Sequence, residues 1–290
     1  PKAVYIGSSA FHTCWALESI ELPEAQTIEA LCFSSCSKLT SVNIPKAVYI
    51  GSSAFYNDKS LTTVNCEQVK TIQRVAFFGC TSLESMNLPN VVYIRDTAFS
   101  GCRNLNSVNM PNVSYIGNSA FNNCVQIKVL DLPNLTYVGS SAFYSCTSLE
   151  TVNIPKVSII NSNAFYNCWQ LKTLNADNLE EIWDNGMAYI GLTSHSFPKL
   201  KKIGQRGFVY GQFETIDLPV IENIGYAAFS DNGSLKTVNM SMVTKVPTIN
   251  STAFANCYKA KFYVPSSLVY AFQNDSMWSS LASRIFPYEG

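Results

Sequence analysis

The chain has 290 residues, with 20 basic and 20 acidic side chains, a formal net charge of +0 at pH 7 and 47% hydrophobic content. Balanced charge gives it no electrostatic reason to engage nucleic acid or an anionic membrane, and that much apolar content excludes wholesale disorder. No apolar run reaches the roughly 18 residues that a membrane-spanning helix needs.

The chain opens PKAVYIG, already inside a repeating unit and without methionine. It reads as an excised piece, so the missing signal peptide carries no weight. The phenylalanine of a recurring Ala-Phe pair falls at Phe11, Phe33, Phe55, Phe77, Phe99, Phe121, Phe143 and Phe165, at a constant spacing of 22. The series continues through Met187, Phe208, Phe229 and Phe254, at spacings of 22, 21, 21 and 25. A fixed period of this size indicates a solenoid, in which each coil buries its apolar side only by stacking on its neighbours.

Each coil carries two strand-like pieces. The first reads L-x-x-V-N-L-P, as in Leu149, Val152, Ile154 and Pro155, and its end alternates apolar and polar with the strand period. Proline closes it, because it cannot donate to a strand ladder. The second reads V-x-Y-I-G, as in Val113, Tyr115, Ile116 and Gly117. The A-F-x-x-C corner is expected to return the chain as a short helical or 3₁₀ turn. The predicted fold is an α/β repeat solenoid of about twelve coils with parallel sheets on two faces, roughly 55 Å long at roughly 4.8 Å per coil. Solenoid is expected over residues 1–262 and a helical cap over 263–290. In the cap, Ser266 and Ser267 start a helix, Leu268, Ala271 and Phe272 keep helical spacing, and Trp278 and Ile285 plug the last coil. No N-terminal cap is recognisable, which again fits a fragment.

The recurrent A-F-x-x-C-x-x-L-x-x-V-x-L-P-x-V-x-x-I-G resembles the BspA-like class of leucine-rich repeat over nearly the whole chain. That resemblance implies an extracellular protein of the kind found on oral and gut bacteria and some protozoa, several of them regarded as adhesins for host matrix or other cells.

Eight of the ten cysteines, Cys14, Cys36, Cys80, Cys102, Cys124, Cys146, Cys168 and Cys257, sit three residues after the marker phenylalanine, with Asp58 interrupting the column. Stacked Cβ atoms about 4.8 Å apart lie beyond the usual disulfide range of about 3.5–4.5 Å. Cys32 and Cys66 occupy core positions. All ten read as small buried fillers without disulfides, and thiols in a line do not offer tetrahedral corners to a metal.

Catalytic chemistry finds little support. His12 is expected on a solvent-facing corner and His195 in the core with a hydrogen bond. They lie some eight coils, roughly 40 Å, apart, and neither pairs with a nucleophile at readable spacing. The neighbours Glu180 and Glu181 read as solvated, and a glycosidase would need facing carboxylates about 5–10 Å apart in a cleft. No cofactor is expected.

Two surfaces could bind. Short polar side chains (Asn43, Asn65, Asn87 and Asn109 among them) line one strand row, either as a solvated ladder or as a flat face for a glycan or protein. Tyr5, Tyr49, Tyr93, Tyr115 and Tyr137 precede the inward isoleucine of the other row, or valine in the case of Tyr137, and should face out. The last three occupy consecutive coils and form a tyrosine stripe. Corner aromatics add Tyr56, Phe78, Tyr144 and Tyr166, with Trp15 and Trp169 close by. Exposed aromatic rings of this kind mark recognition surfaces, or else pack only on each other. The candidate ligand-binding residues are Tyr93, Tyr115, Tyr137, Tyr144, Tyr166 and Trp169. Residues 176–215, where Met187 and Ile190 replace the marker phenylalanine and cysteine, either bend the stack or mark a site. The expected function is non-catalytic adhesion to a protein or glycan of a host or microbial surface. The alternatives are a structural spacer and, last, a polysaccharide-acting enzyme.

Overall fold

The structure is a computed structural model and describes residues 2–289. It is a parallel-strand solenoid with the leucine-rich repeat fold, and its turns number about 13, one more than the spacing predicted. It divides into two compact units, Pro1–Ile154 and Pro155–Gly290.

In the first unit, two-residue strands follow one another in parallel register, from Tyr5–Ile6 through Thr27–Ile28, Tyr49–Ile50, Thr71–Ile72, Tyr93–Ile94 and Tyr115–Ile116 to Tyr137–Val138. Tyrosine or threonine pairs with its equivalent one coil away, and isoleucine with isoleucine or valine. The three-residue strands form a less continuous row. Ser19–Glu21, Ser41–Asn43 and Thr63–Asn65 pair together, Ser85–Asn87 pairs with Ser107–Asn109, and Val129–Asp131 pairs with Thr151–Asn153. Between the strands the marker phenylalanines stack from Phe11 to Phe143, with ring centroids 4.9–5.5 Å apart and planes within 8° of parallel. Phe33 through Phe143 are fully buried, each contributing about 1.5–3 kcal/mol by area.

The corner is not a helical turn. Ser53 and Asn57 have φ of 56° and 60°, and left-handed residues two positions either side of the marker recur through most of the corners. A right-handed helix cannot pass through them. Alternate corner N–H groups bond to the next coil, Phe33 N–H to the Ala54 carbonyl at 2.7 Å and Ser35 N–H to the Tyr56 carbonyl at 2.8 Å, while those between close local turns, as Ser34 N–H does on the Leu31 carbonyl. Stacking is close enough that a Cβ on Gly139 would lie 2.5 Å from the Asn118 backbone nitrogen, so the glycine that follows the inward Val138 is a packing requirement there.

In the second unit, Ile159–Ile160, Glu181–Ile182, Lys202–Ile203, Asn223–Ile224 and Thr248–Ile249 form one parallel row. Ser194–Ser196, Thr215–Asp217, Thr237–Asn239, Lys261–Val264 and Ile285–Pro287 form the other. The C-terminal segment is less helical than expected. It holds 3₁₀ turns at Ser266–Leu268 and Ser279–Arg284, one six-residue helix at Val269–Asn274, and a final strand that extends the sheet. Of the predicted helical face only Phe272 is buried, while Ala271 is exposed. Trp278 is fully buried against Phe272 at 5.0 Å, Phe262 at 5.5 Å and Phe254 at 6.2 Å, and its indole N–H donates to the Pro247 carbonyl. Ile285 is buried in the final strand, paired in register with Phe262. Among the described residues no helix is long and apolar enough to cross a membrane.

Candidate functional site

The tyrosine stripe lies on the strand row of the first unit, where Tyr115 pairs in register with both Tyr93 and Tyr137. Period-two alternation turns these side chains away from the buried Ile94, Ile116 and Val138. Tyr93 and Tyr137 are 42% and 40% exposed. The rings also serve each other. Arg95 lies 5.2 Å over both the Tyr93 and Tyr115 rings, and Tyr115 stacks on Tyr137 at 4.8 Å and 5°. Partial burial, the Tyr115 phenol and the Asp96 carboxylate push the Tyr137 phenol upward. Tyr5 is exposed, and Tyr49 stands between Thr27 and Thr71. Tyr144 is half-buried on a corner of the same unit, as is the Tyr56–Phe78 stack at 5.4 Å. Tyr166 and Trp169 belong to a corner of the second unit, and Trp169 is 52% exposed.

The polar row is a hydrogen-bonded ladder. Asn65 donates to Asn43, Asn109 to Asn87, Asn153 to Asp131 and Asn239 to Asp217, at 2.6–2.9 Å. Glu180 and Glu214 are ion-paired with Lys201 and Lys236 at 2.8 and 2.7 Å, and these lysines hold both carboxyls below their usual range. His12 is exposed. His195 is only half-buried at the inward position of Ser194–Ser196, and packs edge-on against Phe197 at 4.4 Å with no side-chain hydrogen bond among the described residues. Burial lowers its pKa, with Asp177 and Asp217 opposing.

The cysteines do more than fill space. None of the ten is joined in a disulfide among the described residues, and Cys14 is only half-buried. The thiols of Cys36, Cys80, Cys102, Cys124 and Cys146 each donate to the marker phenylalanine carbonyl of the preceding coil, at 3.0–3.3 Å. Burial pushes Cys66 and Cys146 up to about 12, which makes them poor nucleophiles. Among the described residues no group of three histidine, cysteine, aspartate or glutamate side chains could hold a metal ion.

A feature that composition and spacing did not reveal lies on the corners of the second unit. Tyr166, Tyr189, Tyr210 and Tyr226, with Arg206 and Asp231, line a cleft of about 350 Å³. Tyr189 stacks on Tyr210 at 4.9 Å and 18°, and Tyr166 meets Tyr189 at 5.2 Å and 57°. Arg206 sits 5.9 Å over the Tyr226 ring. Burial and the Tyr189 phenol raise the Tyr166 phenol, with the Arg206 charge opposing. Tyr189, Arg206 and Tyr210 have φ of 57°, 52° and 54°. These are the corner positions that Ser53, Asn57, Ser119 and Asn123 fill elsewhere. Left-handed backbone costs a bulky residue roughly 1–2 kcal/mol. Three such residues around one cleft are a concentration of strain. The sequence signal was the irregular stretch 176–215, but it carried meaning only once the corner backbone was known.

A family model described as a BspA type leucine rich repeat region, in six copies, matches residues 4–111, 70–190 and 158–280. No curated protein matches the chain by sequence. Among solved structures, a leucine-rich repeat protein from Bacteroides ovatus is similar at 20% identity and TM-score 0.55, over 98% of this chain and 87% of that one. The pneumococcal vaccine antigen PcpA is similar at 17% identity and TM-score 0.50, over 94% and 80% of the two chains. A leucine rich cell surface protein from Faecalibacterium prausnitzii matches at 21% identity and TM-score 0.46, over 94% and 88%. At these identities the first two likenesses speak for the fold alone.

Proposed function

The chain belongs to the BspA type leucine-rich repeat family, and on that premise we propose that it is a non-catalytic recognition module of an exported surface protein, holding a protein or glycan of a host or microbial surface. Leucine-rich repeat proteins are generally interaction or surface modules. We read residues 263–290 as the cap of a solenoid spanning 1–262, with its strand rows as two faces. One observation carries the binding reading: partly exposed tyrosines stand in consecutive coils on a hydrogen-bonded backbone. Rings fixed in this way lose little conformational entropy when a partner covers them, and aromatic residues are enriched at such contacts. Tyr144, Tyr166 and Trp169 would add corner contacts. Ion-paired carboxylates and thiols raised by burial support a non-catalytic role.

One feature favours the second reading, a structural spacer. Arg95 and the Tyr115–Tyr137 stack satisfy the rings internally, and rings so engaged need no ligand. The test is a binding screen of the purified chain against host matrix proteins and a glycan array, beside a Tyr93/Tyr115/Tyr137→Ser variant. A hit lost in the variant, with its melting temperature held, supports recognition through the stripe. Absence of any hit from well-folded protein overturns recognition in favour of the spacer.

A further inference from the structure

We propose that the corner cleft of the second unit binds an acidic sugar residue, a carboxylate-bearing pyranose of a glycan, with Arg206 on the carboxylate and the Tyr189, Tyr210 and Tyr226 rings against the sugar. This rests on the recognition reading above and assigns it a ligand class and a place.

Charge is the first support. Arg206 is exposed and makes no ion pair among the described residues. The carboxylate in the cleft wall, Asp231, is already engaged: Ser230 Oγ donates to one oxygen and Asn256 Nδ2 to the other, both at 2.6 Å. The Arg206 guanidinium therefore offers a planar fork of N–H donors whose best complement is a carboxylate held in bidentate fashion.

Shape is the second. A pyranose has a flat C–H face and a rim of hydroxyls, so it asks for aromatic faces with scattered hydrogen-bonding groups. Tyr210, half exposed at the end of the Tyr189–Tyr210 stack, offers aromatic surface to the cleft, and Tyr166, inclined at 57° to Tyr189, turns its corner. Asn185 and Ser230 add polar groups to the lining. The aliphatic lining, Val209 and Ala227, is only 5% and 8% exposed. The cleft therefore offers rings and polar groups and no open aliphatic socket for a peptide's Leu or Val side chain. Its volume, about 350 Å³, falls at the small end of the roughly 300–1,000 Å³ of small-molecule sites.

Backbone strain is the third and independent support. Other corners place small or amide residues at most of their left-handed positions, with Leu31 and Val75 as isolated bulky exceptions, whereas this cleft gathers three bulky ones, Tyr189, Arg206 and Tyr210. Strained bulky residues persist where a site needs them.

The experiment is calorimetric titration of the purified chain with a glucuronate-terminated tetrasaccharide, its glucose-terminated counterpart and a pentaglutamate peptide. The acidic sugar should bind at least tenfold tighter than the neutral one and weaken with added salt. Arg206→Gln should erase that tenfold preference while leaving neutral binding, and Tyr210→Ser should remove both, with melting temperatures no lower than wild type. Equal affinity for the two sugars, an Arg206→Gln variant that keeps the preference, or tighter binding of the peptide would each overturn the proposal. If the array screen gives a hit that Arg206→Gln and Tyr210→Ser leave intact, the cleft assignment fails and recognition stands. If neither the screen nor the titration gives binding, both fail.

Discussion

Asp58 occupies the slot where the other regular coils place a thiol, and replacing it should stabilise the protein in a pH-dependent way. Asp58 is fully buried. Its Oδ1 accepts the Cys36 backbone N–H at 2.7 Å, while Oδ2 has no partner among the described residues. By register this slot faces the Phe33 carbonyl, as Cys80 faces that of Phe55. The slot therefore wants a donor, which an ionised carboxylate cannot be. The same requirement is met at Asn232, whose side-chain amide donates to the Phe208 carbonyl at 2.8 Å. Burial pushes the Asp58 carboxyl from 3.8 up to about 8, with hydrogen bonds from the Cys36 and Ser35 backbone opposing. The neighbouring thiols are themselves raised by burial, Cys36 to about 11 and Cys80 well above its usual value, so neither charges in the same range. Because the folded pKa lies above the unfolded one, stability is fully present below about pH 4 and is lost as pH rises towards about 8. At pH 7 the gap is about three units, or about 4 kcal/mol at 1.36 kcal/mol per unit, equivalent to roughly 10 °C in melting temperature for a unit of this size. Thermal unfolding of wild type and Asp58→Asn should be followed by circular dichroism from pH 5 to 9. The variant should melt higher at pH 8, and the difference should shrink steadily towards pH 5. His195, lowered by burial, gives a slope of opposite sign in both proteins and cancels in the difference. Parallel curves, or a less stable variant at pH 8, would refute the reasoning.

Phe99→Ala should cost about 3–5 kcal/mol in denaturant unfolding, because its fully buried ring is stacked on both sides. Phe11→Ala, at a half-buried ring with one stacked neighbour, should cost clearly less; equal losses would mean the column is not the core. Gly139→Ala should destabilise by about 1–3 kcal/mol, since its Cβ would meet backbone at 2.5 Å. Gly233→Ala, with nothing within 4 Å, should stay within about 0.5 kcal/mol. Trp278→Ala should cost about 3–5 kcal/mol, and limited proteolysis should then cut first within 265–289. An unchanged digestion pattern would deny Trp278 its role against Phe254 and Phe262.

The stacked core was legible because a constant period forces each position into the same environment coil after coil. Phe33, Phe77 and Phe121 meet identical surroundings, so one glance at spacing locates them all. The corner was misjudged because A-F-x-x-C contains nothing that breaks a helix when one copy is read alone. The evidence lay in the flanks: Ser53 with Asn57, Ser119 with Asn123, and Gly79 and Gly101 in the corresponding slot are residues that tolerate left-handed backbone. The C-terminal helix was overestimated for a related reason. Leu268, Ala271 and Phe272 keep helical spacing, but Phe262 and Ile285 pair as strand neighbours, and extending the sheet outweighs extending the helix. What no spacing could reveal was the thiol-to-carbonyl bond, since cysteine as filler and cysteine as donor occupy the same slot. That bond is what makes the deviations informative. In a stack where each slot has a fixed partner, Asp58 stands out as the wrong donor, and Tyr189, Arg206 and Tyr210 stand out as a cluster of bulky side chains on left-handed backbone, where Leu31 and Val75 occur singly. The regular coils thus act as internal controls for the irregular ones, and both the titrating carboxyl and the corner cleft are read as departures from neighbours rather than as motifs.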